Sequence, residues 1–436
     1  MSFSLVDTQN RVLKGAFAPQ RITGKDRYPF SIAGFGTAQY DDRVLTHGRE
    51  ALRAAWDTGI NWIDLAPDFG RGRATESVAS ALSQIPSSEG LAIVWKTPPR
   101  HSLQPEELAQ DLALAQRALG AHRPWFVVLR DPEFITQDPN YLSDALDWLA
   151  HLKVQKKIFG FGVGSQGFAL DSGEPGFYSL PALWETAQSV LGERPQDSGF
   201  HLVQAPFNLL EPGIIAASSS QGSTPAEFAL KHGLQLLTYR PLHAWEGRRF
   251  VRCADFPDRS HDENLHERFK QSIEKVTALE QSHSELAHGG IGYRIRRSSG
   301  NGPSPLGWSN FLRWDFQEAW NRLPQSLPKG YREAVQDLLR DYTAWVEDES
   351  SQLAAQIKSV LWRAAPEFGP TERLSSMSQR LLWSLPAVSG VACGLTHPVH
   401  VESTVQAARA PRLRAAQAVH CFQQIDEWKT QTLGRS

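Results

Sequence analysis

Asn61-Trp62-Ile63-Asp64-Leu65-Ala66-Pro67-Asp68-Phe69-Gly70-Arg71-Gly72-Arg73-Ala74-Thr75-Glu76 is the stretch on which the reading of this chain turns. It reads as a short apolar strand over 61–65 that carries a carboxylate near its end, then a Pro/Gly-rich loop, then a helix beginning at Ala74. A charge at the carboxyl end of a buried strand costs stability unless it is paired, so Asp64 is a site candidate on physical grounds alone.

Outward from that stretch, short apolar runs alternate with helical patterns, the sign of a parallel α/β sheet. Strands are predicted over 30–36, 61–65, 91–96, 125–130, 158–163, 201–205 and 234–239, with helices over 45–58, 74–83, 105–119, 141–153, 180–190 and 225–231. The alternation then stops for more than a hundred residues and resumes with a helix over 376–385, a strand over 390–394 and a helix from about 400. Eight strands with intervening helices predict an α/β fold, a (β/α)8 TIM barrel, with a large, mostly helical insertion between the seventh and eighth strands. The expected organisation is barrel over 1–244, insertion over 245–372, barrel completion over 373–410, and a C-terminal helix and tail over 411–436. Residues 1–29 read as a polar N-terminal cover or hairpin.

The insertion has a different texture. Helices are predicted over 263–286, 329–347 and 352–365, and the Gly/Ser/Pro-rich segment 289–307 reads as a mobile loop. Trp308, Trp314 and Trp320 follow at six-residue steps, which do not match one helical face. An insertion after a barrel strand lies on the face where barrel chemistry happens, so 245–372 reads as a lid, a docking surface for a protein partner or a packed annex.

Composition narrows the class. The 436 residues are 41% hydrophobic and 21% charged, ordinary for a chain with a large core. A formal net charge of −2 gives no reason to expect a nucleic-acid or anionic-membrane partner. Fourteen Trp against two Met suggest rigid aromatic packing or a stacking pocket, with packing the plainer account. Cys253, Cys393 and Cys421 are widely spaced with no CxxC pair, which argues against a disulfide framework. With no apolar run near the roughly 18 residues of a membrane helix, and no secretion-signal pattern, a cytoplasmic protein is expected.

In a barrel the functional side chains sit at the carboxyl ends of strands. Those ends carry Asp64, Lys96, Arg130, Ser165 after Gly164, Gln204 and Tyr239: a carboxylate, two cations, a hydroxyl, an amide and an aromatic ring aimed at one mouth. Other motifs carry less. Residues 162–167 spell GxGxxG after a strand, but the segment that follows breaks a helix where a dinucleotide loop requires one. His261 with His266, and His283 with His288, lack the helical spacing of a zinc pair, and His397 and His400 flank Pro398, so no metal site is expected. No GxSxG nucleophile signature occurs.

The segments INWIDLAPDFGRGRATE, FVVLRD, KIFGFGVGSQ, LVQAPFNLL, LLTYRPL and VACGLTHPVHVESTVQAA resemble the aldo-keto reductases over roughly 30–242 and 373–410. The resemblance implies an oxidoreductase barrel with a tetrad of a Tyr acid, a Lys that lowers its pKa, an Asp that pairs with the Lys, and a His. Asp64 and Lys96 match the Asp and the Lys, Phe69 stands at the Tyr and Arg130 at the His. Ser165, Gln204 and Tyr239 fall where family members hold and stack the nicotinamide, and Arg240-Pro241-Leu242 continues the segment near the pyrophosphate. Gly394 and Thr396 fall at the adenine-phosphate end, where the family often shows GxR…EN and this chain has no matching cation. The cofactor implied is NADP or NAD.

Carbonyl reduction needs a proton delivered as hydride arrives, and Phe69 has none to give, while an always-charged Arg130 orients an anion but is a poor acid. Three functions follow: an altered oxidoreductase acting on a small carbonyl or anionic substrate; a catalytically silent barrel serving as a regulatory or partner-binding subunit; or a non-redox enzyme using Asp64, Lys96 and Arg130 for proton transfer or elimination.

Overall fold

The computed structural model describes residues 16–18, 27–41, 45–85, 88, 90–98, 105–135, 140–217, 222–246, 249–256, 264–286, 289–299 and 304–432. Most of the expected N-terminal cover over 1–29 lies outside these residues, as do His261 and His288. Two compact units divide the chain: Met1–Pro241 with Ser376–Val419, and Leu242–Ser375 with His420–Ser436.

The first unit is the predicted barrel. Strands β1 (Ala33–Gly36), β2 (Trp62–Leu65), β3 (Ala92–Lys96), β4 (Trp125–Arg130), β5 (Gly160–Gly164), β6 (Phe200–Pro206) and β7 (Gln235–Tyr239) belong to it. Two further strands, β8 (His243–Glu246) and β9 (Arg249–Arg252), intervene before β10 (Val388–Gly394), which closes the barrel in the order β1-β10-β7-β6-β5-β4-β3-β2. The barrel strands are short and almost wholly buried because helices cover one face and side chains fill the other, which is why they read as continuous apolar runs. Tyr28, Phe30, Trp62, Phe126, Leu202 and Leu237 pack the interior. Tyr28 closes it with an edge contact to Phe30 at 4.9 Å and a hydroxyl that donates to the Asn61 carbonyl at 2.8 Å. Trp62, Trp95, Trp125 and Trp383 are among the largest fully buried side chains, so tryptophan here serves packing.

The GxGxxG string has a steric explanation. Register pairs Phe126 with Gly160, Val128 with Gly162 and Arg130 with Gly164, so the glycines occupy positions level with β4's inward-facing side chains. A Cβ on Gly162 would overlap the Leu202 carbonyl oxygen of β6, a backbone atom that cannot swing aside. After β5 comes only the short turn Gly167–Ala169, and the next helix begins at Leu180. Gly162→Ala is therefore expected to destabilise by about 1–3 kcal/mol through overpacking. An unchanged urea midpoint would show that β5 and β6 can part without cost.

The second unit opens with the antiparallel hairpin of β8 and β9, which the sequence pattern did not reveal because each strand is only four residues long. Its core forms between helix Leu265–Gln281 and helix Tyr331–Ala364, from Phe269, Ile273, Val276, Leu338, Tyr342 and Trp345. Two expectations are corrected here. The helices predicted over 329–347 and 352–365 are one helix, Tyr331–Ala364. The intervening serines do not break it, because no Gly or Pro interrupts the turn, and Ser350 Oγ donates to the Val346 carbonyl at 2.6 Å within the helix.

The segment 289–307, expected to be a mobile loop, carries helices Ile291–Ser299 and Pro305–Asn310. Buried Glu280 anchors the first, accepting from the amides of Gly292 at 2.8 Å and Tyr293 at 3.0 Å and from the Tyr331 hydroxyl at 2.7 Å. A carboxylate at a helix N-terminus satisfies amides that have no partner within the helix, a long-range effect invisible in local composition. A π-helical segment, Phe311–Asp315, then changes the angular register, and Trp308 and Trp320 both reach this core.

Among the described residues, no helix is long and apolar enough to cross a membrane. Cys253, Cys393 and Cys421 are buried and not joined in disulfides.

Candidate active site

Strand side chains alternate, so the inward series that fills the barrel floor continues into its mouth. Trp62 leads to Asp64, Val94 to Lys96, Val128 to Arg130, Leu202 to Gln204 and Leu237 to Tyr239, each two residues further along its strand. The same alternation that makes the core therefore delivers the polar set.

Lys96 Nζ lies 3.1 Å from Asp64 Oδ2, with the two side chains only 6% and 5% exposed. Gln204 Nε2 donates to Asp64 Oδ1 at 2.8 Å, so both carboxylate oxygens are engaged. A buried ion pair is tolerable only when its remaining bonding capacity is used in this way. The ammonium also lies 4.4 Å from the centroid of Tyr239 and 5.3 Å from that of Phe69, within cation–π range of both rings. Residues from β2 and β7, with the loop after β2, thus meet at the ammonium of β3, and β6 joins them through Asp64. Burial pushes the Tyr239 phenol well above its ordinary range, and the nearby carboxylate of Asp131 adds to the shift.

Arg130 stands at the end of β4, where its Nη2 lies 3.1 Å from Asp68 Oδ1, on the loop after β2. Its Nε is buried without a protein partner, as is Gln204 Oε1. Asp131 follows in the left-handed region at φ 48°, a conformation that Asp tolerates better than most residues. Burial raises the Asp131 carboxyl, against the pull of its bond from the Gln166 amide and of Arg130, Lys96 and Arg240.

Ser165, fully buried, shares a hydrogen bond with Glu133 and accepts from the Gly167 amide at 2.8 Å. Arg240, also at positive φ (61°), pairs with Glu211 Oε1 at 2.9 Å and donates to Gln166 Oε1 at 3.3 Å. Gly394 ends β10, exposed, and Thr396 is half-buried in the turn before helix Pro398–Arg409. Leu242 belongs to the second unit, where its carbonyl accepts from the Cys253 amide at 2.8 Å.

Asp68, Asp131, Glu133, Gln166 and Glu211 were not anticipated. All but Glu211 lie within four residues of Asp64, Arg130 or Ser165, so widening the search beyond each strand end would have found them. Glu211 has no such marker; Asn208 Nδ2 holds it at 2.7 Å against Arg240. Among the described residues, no group of three or more His, Cys, Asp and Glu side chains is arranged to hold a metal ion.

A glycerol dehydrogenase from Gluconobacter oxydans superposes with a TM-score of 0.52 at 15% identity, covering 97% of this chain and 97% of that one. An aldo-keto reductase from Bacillus halodurans in its holo form gives 0.49 at 12% identity, covering 94% and 96%. One from Klebsiella pneumoniae in complex with NADP and acetate gives 0.48 at 14%, covering 94% and 95%. At such identities the likeness concerns the fold. No curated protein matches in sequence. The family model for the aldo/keto reductases, however, matches residues 33–290, more than half of the chain. Together with the closed barrel and the Asp64–Lys96 pair at its mouth, that match places this chain in the aldo/keto reductase family.

Proposed function

We propose that the barrel mouth binds a nicotinamide dinucleotide and interconverts a small carbonyl compound bearing an anionic group with its alcohol. The observation that carries this reading is the array of Asp64, Lys96 and Gln204 beneath the Tyr239 ring, with Arg130 beside it. The residues fit the cofactor at its nicotinamide end: Gln204 Oε1 is a buried acceptor with no protein partner, and Ser165, just past β5, donates its amide to the Gln204 carbonyl at 3.0 Å. The bound cofactor supplies hydride chemistry. At the adenine end no cation stands at Thr396, which supports neither NADP nor NAD over the other.

This chain's own residues supply orientation and charge. Lys96 uses one donor on Asp64, and an ammonium has three, so two remain for a carbonyl oxygen on which negative charge develops. Arg130 offers its planar fork to a carboxylate or phosphate on the substrate, with Asp68 holding one edge. Phe69 contributes an apolar wall and no proton. Turnover is accordingly slow for the family, because a matched general acid is missing.

The test is a fluorescence titration with NADPH and with NADH, followed by cofactor absorbance assays on 2-oxo acids, acid aldehydes and neutral aldehydes. Arg130→Met is expected to lower kcat/KM for anionic substrates by about 10- to 100-fold, the worth of a hydrogen bond to a charged group, and to leave neutral aldehydes little changed. Equal losses on both classes would remove Arg130 from substrate recognition. Absence of cofactor binding would overturn the oxidoreductase reading in favour of a silent barrel.

A further inference from the structure

Glu133 sits in the turn Pro132–Phe134 after β4, half-buried, and the chemistry proposed above makes no use of it. One carboxyl oxygen meets Ser165 Oγ, while Oε2 is buried with no protein partner. A serine hydroxyl has one proton and two lone pairs. In Ser165 one lone pair already accepts from the Gly167 amide at 2.8 Å. If Glu133 is ionised it takes the hydroxyl proton, and Ser165 can then only accept from a ligand. If Glu133 is protonated it donates into the second lone pair, and the hydroxyl proton is free for a third partner.

We propose that Glu133 is a positioning residue that switches Ser165 between acceptor and donor, so that the mouth holds a primary carboxamide by both its NH2 and its oxygen only when the Glu133 carboxyl holds a proton. The ligand chemistry follows from the pair of groups left over. Gln204 Oε1 is an orphan acceptor suited to an amide NH2, and the freed Ser165 O–H is a donor suited to the amide oxygen. The inference rests on the nicotinamide reading above, since the carboxamide in question is that of the dinucleotide.

The surroundings place this switch near neutrality. The Glu133 carboxyl is raised to about 7: burial pushes it up most, the hydrogen bond from Ser165 pulls it down, and the neighbouring Asp131 pushes it further up. Tyr178, ahead of helix Leu180–Leu191, faces the same carboxylate, which raises its own phenol beyond the effect of burial. Tyr178 therefore does not titrate in the working range. Asp131, itself raised by burial, adds negative charge beside Glu133 when ionised and so sharpens the preference for the protonated acid.

The sign is fixed by linkage: ligand binding that needs the proton weakens as pH rises through the free-protein value. NADPH and NADH affinities of the intact chain, followed by tryptophan quenching, are expected to be level below about pH 7 and to fall roughly tenfold per pH unit above it. Glu133→Gln presents an amide donor to Ser165 at every pH and is expected to keep the low-pH affinity across the range. Ser165→Ala separates the switch from mere charge repulsion, because it leaves the Glu133 carboxylate in place while removing the hydroxyl. Its affinity should be weak and level.

If Ser165→Ala keeps the wild-type slope, Glu133 acts only through its charge and the switch is wrong. A wild-type affinity independent of pH overturns the proposal while leaving the oxidoreductase reading intact. No binding of either dinucleotide at any pH overturns both. Proton uptake on binding at pH 8, measured calorimetrically in buffers of different ionisation enthalpy, tests the same linkage in the unmodified protein. Absence of uptake there would also overturn it.

Discussion

Lys96→Met should cost about 3–5 kcal/mol of folding stability, the penalty for breaking a buried ion pair from one side. Asp64 would keep the amide of Gln204 at 2.8 Å but lose the only cation within salt-bridge distance of it among the described residues. With side-chain exposures of 6% and 5%, solvent cannot take over the role of either partner. The measurement is equilibrium urea unfolding followed by far-UV circular dichroism. The double variant Lys96→Met/Asp64→Asn should recover much of the loss, because no uncompensated charge then remains buried. A single variant within about 1 kcal/mol of wild type would mean that water or backbone rearrangement serves Asp64 as well as the lysine does.

The second large effect is a gain. If the mouth holds a nicotinamide cofactor, the missing proton donor separates it from ordinary carbonyl reduction. The Phe69 ring lies 5.3 Å from Lys96 Nζ, so Phe69→Tyr puts a phenol beside the ammonium at little change in volume. A nearby cation favours the phenolate and lowers the phenol's pKa, the condition for efficient general-acid catalysis. Because Arg130 occupies the neighbouring strand end, Phe69→Tyr/Arg130→His is the fairer test. It should reduce a small reactive aldehyde at least tenfold faster than wild type, within the ~10²–10⁴ range typical of a positioned acid. Cofactor binding without such a gain would point to a blocked substrate site. A double variant with neither binding nor turnover would favour the silent barrel.

Much of the architecture was legible in the chain because barrel strands are local objects. Each needs only a short apolar run bounded by turn residues, and parallel closure then aims every strand end at one mouth. Asp64, Lys96, Arg130, Gln204 and Tyr239 could be named from that rule alone, and Lys96 indeed meets Asp64 at 3.1 Å. The insertion was less legible for the complementary reason. The helix at Ile291–Ser299 is held by Glu280, a residue outside the segment, so its Gly-rich surroundings read as a loop. The sequence pattern likewise ended one helix at Glu347 and began another at Gln352, although no Gly or Pro stands between them and the helix runs on.

By itself the sequence determined the order of the barrel strands and of the helices between them, and the residue types at the strand ends. These depend on periodicities of two and of 3.6, which are written along the chain. Only the tertiary structure decided the partners: that Gln204, on β6, takes the second oxygen of Asp64, on β2, and that Glu133 reaches Ser165. It also decided that the glycines of β5 answer to the backbone of β6. Residues 64 and 204 lie 140 positions apart, and no local pattern encodes which of many polar side chains will share a buried carboxylate. That choice is made by barrel closure and strand register, because a charge removed from water must find its partners among whatever groups the fold brings within reach.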